Sequence, residues 1–317
     1  MSINIVRTQD RWYVQKSATT GTAIDTSATA TGDLLADRSA ILAAVEGPES
    51  ALPSSTLQSP VTSPCRVVAQ MTNYVSHIKD SGFNPETVPM TFFRKSSHSI
   101  SGPTQDIIKP AHVRFLDYEV EIGLVIGNDV PVGTSIHEEN IESHIAALVV
   151  TNDVSARDVQ LPKTQFYEAK SYPTFTPTGP RLVVLETGDW ARFEELQLEL
   201  KVNGEVRQRA LVGDDMVYKP LEALRGLSQF QPLAAGDLVL TGTPGGTALK
   251  APAKPIEIIG ALLPTATKWK AFFKAQAKNT KYLADGDLVE VSIRTRDGKL
   301  DLGCQRTTVR YATNAPQ

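Results

Sequence analysis

Apolar residues fall in short runs along most of this chain, not in long helical stripes. From residue 66 onward, CRVVAQM, YEVEIGLVIG, ALVVTNDV, PRLVVLE, LQLELKVNG, GDLVLTG and DLVEVSIRTR are β-branched runs parted by Gly, Pro and Asp. That is the texture of strands bounded by turns. Strict alternation in LQLELKV passes through Asn203-Gly204 into EVRQ, and Asn-Gly between alternating runs predicts a tight hairpin. Upstream, residues 3–6 and 11–14 predict a strand pair, 17–32 a small polar loop, and 36–47 a short helix. Residues 48–64, rich in Pro and Ser and without a period, predict a boundary or an extended connector. Two helices are predicted in the body. Ser135 with Glu138 fits a capping box, with Ile141, Ile145 and Leu148 on one stripe behind it. ATKWKAFFKAQAKNTKY has Trp269, Phe272 and Phe273 near one side and five lysines elsewhere. It predicts a surface helix packed by its aromatic side, with a membrane-surface helix as the alternative. The whole reads as α+β, mainly β, with a curved or barrel-like sheet.

Composition narrows the function classes. With 317 residues and 41% hydrophobic content the chain can bury a large core. A net charge of −3 argues against a nucleic-acid or anionic-membrane partner. The two cysteines, Cys65 and Cys304, make no zinc-type spacing and no disulfide framework. No basic stretch followed by an apolar one opens the chain, and no apolar run is long enough to cross a bilayer. A cytoplasmic enzyme or binding protein is the expectation.

The segment LDYEVEIGLVIG holds the first chemical signal. Glu119 and Glu121 lie two apart in an otherwise apolar strand, so they project from one face with Cβ atoms roughly 7 Å apart. Like charges that close in a poorly solvated place need a cation, and a hard divalent ion with oxygen ligands would supply one. The bland alternative is a solvated face of the sheet. Asp153, ending the strand ALVVTNDV, offers a third carboxylate at a sheet rim. Arg157, Asp158 and Gln160 follow closely, readable also as a loop held by an Arg-Asp pair. Lys170 is a lone ammonium in the irregular EAKSYPTFTPTGP. His77 and Asp80 are i and i+3 on a helical turn and can touch, as a general base with its orienting carboxylate or as an ordinary surface pair. No Walker loop, dinucleotide fingerprint or nucleophile elbow is present.

LDYEVEIGLVIG, TNDVSARDVQ, KSYPTFTPTGP and GDLVLTGTPGG, in that order, resemble the fumarylacetoacetate hydrolase family from about Val67 to the end. The resemblance implies a rolled, mixed β-sheet core, a small N-terminal domain (residues 1–65, with 66–317 catalytic), and a homodimer. It implies Mg²⁺ or Mn²⁺ held by Glu119, Glu121 and Asp153. It places Lys170 as a catalytic lysine and Tyr74, Lys95, Arg157, Gln160, Gly242 and Thr243 near a small 2-oxo acid or β-diketone. Ser97 is placed near the site by the same FRKSSHSI stretch that carries Lys95. The segment Asn73-Tyr74-x-x-His77 resembles a lid bearing a His-Glu dyad, but here the acidic partner is the shorter Asp80. The segment 248–285 is a long insert, with capping the pocket or widening a dimer interface as its candidate roles.

The reaction implied is metal-dependent hydrolysis of a carbon-carbon bond in an acylpyruvate-type acid. His77, oriented by Asp80, would activate water, and Lys170 would help stabilise the leaving enolate. The departure at Asp80 keeps an oxaloacetate decarboxylase or a keto-enol or double-bond isomerase open on the same metal-enolate site, with a sugar-acid dehydratase as a further relative of that chemistry. A non-catalytic 2-oxo acid binder is the third alternative.

Overall fold

In the computed structural model, residues 2–53, 57–251 and 263–312 are described. Parts of the connector (54–56) and of the insert (252–262) lie outside the described residues. Two sheets dominate. The larger has ten strands in the spatial order Ser50–Ala51, Thr20–Ala23, Trp12–Gln15, Ile3–Arg7, Leu182–Val184, Ile145–Asn152, Val120–Ile126, Leu238–Leu240, Val67–Met71 and Thr91–Lys95. The smaller has five, in the order Glu205–Leu211, Leu196–Val202, Leu288–Thr295, Asp301–Tyr311 and Ile107–Lys109. Leu238–Leu240 runs parallel to Val67–Met71, and Asp301–Tyr311 runs parallel to Ile107–Lys109; the other pairings within both sheets are antiparallel. The fold is mixed, mainly β, as the run pattern predicts.

Val120–Ile126 is central and buried along its whole length. Its even residues, Val120, Ile122, Leu124 and Ile126, enter a core that also holds Leu198, Leu200, Val289 and Val291 of the smaller sheet. On the opposite face Val125 enters a second core with Val149, Leu238, Ile5, Leu34 and Ile41. That second core includes residues from the first 65. Their strands extend the large sheet edge-on, and residues of their helices pack into the same core.

The hairpin Leu196–Val202 with Glu205–Leu211 forms as predicted. Asn203 and Gly204 both take positive φ (52° and 81°), the pair of values a type I′ turn requires. Arg38–Glu46 is the predicted short helix, with Asp37 capping Ala40 N–H through its side chain. Two expectations need correction. Thr20–Ala23 is a strand inside the expected loop, recruited by pairing with Trp12–Gln15, and Thr31–Ala36 is a helix at its end. The capping-box helix shrinks to Ile141–His144, and Ile145 and Leu148 belong to a strand paired with Val120–Ile126. Here eight residues of sheet pairing outweigh a local capping pattern. Thr265–Gln276 is helical but buries none of its residues fully; its aromatic side is half-buried. Phe273 stacks on Phe115, and Trp269 stacks on Phe273.

Candidate active site

The site forms where the odd face of the central strand runs past the cover of the second core. Asp117, Glu119 and Glu121 share that parity, and all three are buried. Asp153 ends the neighbouring strand and is tied in register by its N–H donating to the Glu119 carbonyl at 2.8 Å. Glu119, Glu121 and Asp153 bring one carboxylate oxygen each within 4.8 Å of one another.

Three cations balance these acids. Lys170 Nζ donates to Glu119 Oε2 and to Asp153 Oδ2, each at 2.6 Å. Lys95 Nζ donates to Asp153 Oδ1 and, at 2.9 Å, to the Phe175 carbonyl. Arg157 bridges Glu119 Oε1 (2.5 Å), Asp117 Oδ2 (2.8 Å) and Gln160 Oε1 (2.9 Å). Among the described residues Glu121 has no ion-pair partner; its Oε2 accepts the Gly242 N–H at 2.7 Å. Asp117, Glu119, Glu121 and Asp153 therefore face Lys95, Lys170 and Arg157, and one negative charge is left over, at Glu121.

The titration directions follow. Burial raises the Glu119 carboxyl, but Lys170 and Arg157 outweigh it and hold Glu119 far below the usual range. Burial, then Asp153 and Glu119, pushes Glu121 well up. Burial lowers Lys170, and Asp153 and Glu119 more than restore it, so it stays charged. For Lys95 burial wins over Asp153, and its value falls. Burial also lowers His77, whose ring feels Glu119, Arg157 and Lys170, so a neutral imidazole is favoured.

The other predicted residues are placed as follows. Gly242 takes φ +82°, which lets its N–H reach Glu121, and a Cβ there would stand 2.8 Å from Asn73 Cβ. Thr243 Oγ1 donates to the Val120 carbonyl and accepts from Gln208, so it braces the strand. Tyr74 is fully buried, and its hydroxyl lies beside the Thr241 hydroxyl. Burial raises that phenol, keeping it a donor. Asp158 holds the Arg114 and Phe115 N–H groups, the loop-holding role. Ser97 stands at the surface side and accepts from Ser63. The His77–Asp80 contact does not form. Asp80 instead accepts from Gly246 N–H and Lys250 Nζ, each at 3.1 Å, while His77 Nδ1 is inaccessible and has no partner among the described residues.

Two residues escaped the sequence reading. Asp117 anchors Arg157 and accepts the Ala248 and Leu249 N–H groups; its place two before Glu119 was the available signal. Gln208 accepts the Val120 N–H and donates to Thr243 and to the Pro244 carbonyl. It lies on the far arm of a hairpin, and nothing local marks it.

Residues 66–310 match the family model described as fumarylacetoacetate (FAA) hydrolase C-terminal. The chain belongs to the fumarylacetoacetate hydrolase family. Members of this family are enzymes, and typically use a divalent metal. Rattus norvegicus mitochondrial oxaloacetate tautomerase Fahd2a is 36% identical over 195 residues, 61% of this chain and 60% of that protein. Homo sapiens mitochondrial oxaloacetate tautomerase FAHD2A is 36% identical over 193 residues, 60% of this chain and 59% of that protein. The matched region thus spans about 60% of the length of these curated relatives. A solved structure of a probable 2-hydroxyhepta-2,4-diene-1,7-dioate isomerase from Mycobacterium abscessus has a TM-score of 0.75 at 29% identity, covering 99% of this chain and 100% of that one. A fumarylacetoacetate hydrolase from Exiguobacterium antarcticum has a TM-score of 0.70 at 25% identity, covering 98% and 100%. No helix among the described residues is long and apolar enough to cross a membrane.

The residues of this family member fit a hard divalent cation. Three carboxylates converge with oxygen donors only, and burial with Asp153 and Glu119 pushes the Glu121 carboxyl up, a cost that a bound cation would relieve. Mg²⁺ and Mn²⁺ both suit such a donor set.

Proposed function

We propose that this enzyme interconverts the enol and keto forms of a small 2-oxo acid of the oxaloacetate type, with Glu119, Glu121 and Asp153 holding Mg²⁺ or Mn²⁺. The observation that carries this reading is the buried carboxylate trio beside a histidine that lacks an orienting acid. A bound cation would act as a Lewis acid, stabilising negative charge that develops on a keto oxygen. Tautomerisation then asks the protein for one further thing, a group that moves a proton between carbon and oxygen. His77 is the neutral base available for it. No activated water is needed, so the unformed His77–Asp80 contact is no obstacle. Lys170 and Lys95 hold the carboxylates in place, and Lys170 keeps positive charge next to the trio. Arg157 and Gln160 act first as a brace for Asp117 and Glu119, and the Tyr74 hydroxyl, beside Thr241, is the better candidate to meet substrate oxygen. The names of the curated relatives support the substrate class.

Hydrolytic cleavage of an acylpyruvate-type acid is the second reading. His77 Nδ1 is unpartnered, and a substrate-induced shift toward Asp80 would assemble the water-activating pair. One assay separates the two. Purified protein with Mg²⁺ or Mn²⁺ is given enol oxaloacetate, followed by loss of enol absorbance, and in parallel acylpyruvates, followed by pyruvate release, each with an EDTA control. Metal-dependent enol loss without acylpyruvate cleavage is the expected result; pyruvate release would favour hydrolysis. Neither reaction with metal bound would leave a non-catalytic binder. A homodimer and a cytoplasmic location complete the proposal, although the relatives named above are mitochondrial.

A further inference from the structure

His77 is carried by Val75–Asp80, a six-residue helix without a side-chain N-cap. So short a helix has little stability of its own, and tethers hold it at both ends. At its start, Ser76 N–H donates to Asp215 Oδ1 at 2.8 Å, and Ser76 Oγ donates to the same carboxylate. Gly245 N–H donates to Ser76 Oγ at 2.8 Å. At its end, Asp80 Oδ2 accepts from Gly246 N–H, Asp80 Oδ1 pairs with Lys250, and the Asp80 carbonyl accepts from Ala251 N–H at 2.9 Å. The approach is close: a Cβ on Gly245 would stand 3.1 Å from Ser76.

The loop that receives these tethers also touches the carboxylates. Gly242 N–H holds Glu121, and Ala248 and Leu249 N–H hold Asp117, which anchors Arg157. One segment, 242–251, therefore fixes both the acidic cluster and the helix bearing His77. We infer that Asp80 is a positioning residue: its side chain latches the His77 helix to loop 242–251 and so sets where His77 stands relative to Glu119 and Glu121. In this role it does not accept the His77 ring N–H. The Lys250 partner is half-exposed and adds little in water, so the Gly246 N–H bond is the main tether. A glutamate, one methylene longer, would have to fold back to make the same bond. The latch thus gives a reason for the shorter acid.

The inference rests on His77 as the proton carrier proposed above, and its test has a readout that needs no substrate. Amide hydrogen exchange is followed on the full-length Mg²⁺-loaded protein, as wild type, Asp80→Ala, Asp80→Asn and Lys250→Met. The latch predicts that Asp80→Ala speeds exchange in 76–82 and in 245–251 by about tenfold, with Lys250→Met close to wild type. Asp80→Asn, which keeps an acceptor for Gly246, falls between them and guards against misfolding of the alanine variant. In turnover, Asp80→Asn should lower kcat while leaving the pH limb of the profile where it is. Unchanged exchange in both segments would overturn the latch, and so would a shift of that limb in Asp80→Asn, which marks an acid that orients the ring. If exchange responds while no 2-oxo acid is converted, the latch stands and the proposed reaction is the part that fails.

Discussion

Replacing Glu121 by Gln should stabilise the metal-free protein and abolish its response to metal. Glu121 is the surplus acid of the cluster, buried, with a backbone N–H on one oxygen and no cation partner. Burial, Asp153 and Glu119 raise its carboxyl above the ordinary value of 4.5. The sign of the pH effect follows. Below about pH 4.5 the group is neutral folded or unfolded and costs nothing. Above it, the unfolded chain ionises while the folded chain resists, so stability falls as pH rises until the folded value is passed. Each pH unit over that span costs about 1.36 kcal/mol. At pH 7.5, three units above the ordinary value, the penalty therefore reaches at most about 4 kcal/mol. Glutamine is neutral and its amide oxygen still accepts the Gly242 N–H. The EDTA-treated variant should thus melt several degrees above EDTA-treated wild type at pH 7.5, at about 2–4 °C per kcal/mol. The gap should close toward pH 4.5, and added Mg²⁺ should raise Tm for wild type alone. Thermal unfolding from pH 4.5 to 8 with and without Mg²⁺ reads all of this. A metal-free variant no more stable than wild type at pH 7.5 would show that the cluster carries no unbalanced charge and would refute the reasoning.

Other perturbations test separate parts of the site. Arg157→Met takes the ion partner from the buried Asp117 and one of two from Glu119, and should cost about 3–5 kcal/mol, read by denaturant unfolding. Gly242→Ala forces a side chain into φ +82° and against Asn73; calorimetric titration should show weaker Mg²⁺ affinity, because the Glu121 tether moves. His77→Asn should slow turnover by roughly 10²–10⁴-fold with metal affinity retained. Equal loss of metal affinity in that variant would place His77 in the metal site.

Alternation made the heart of the site legible. Glu119 and Glu121 share the parity of a strand whose other face is apolar, and Asp153 directly follows the strand paired with it, so the convergence of three carboxylates was readable from the strand pattern. Asp117 obeys the same parity but precedes the apolar run, and the sequence reading did not single it out. The Asn203-Gly204 turn was legible because two successive positive φ values demand those residue types. The helix expected from Ser135 was not, because its stripe residues Ile145 and Leu148 had a stronger use as the partner of a central strand. Thr20–Ala23 has no bulky side chain to announce a strand and exists through its neighbour Trp12–Gln15. Asp80 shows the limit most clearly. The i, i+3 spacing put it on the same helical turn as His77, but the partners its side chain takes, Gly246 and Lys250, are some 170 residues away and carry no local mark.

The central claim, that Glu119, Glu121 and Asp153 together hold the catalytic cation, is tested most directly by anomalous diffraction from crystals soaked in Mn²⁺. The account predicts one strong buried peak in contact with an oxygen of each of the three carboxylates, at about 2.0–2.3 Å. A map with no peak there, and with Lys95 and Lys170 still pairing all their present acids, would contradict it.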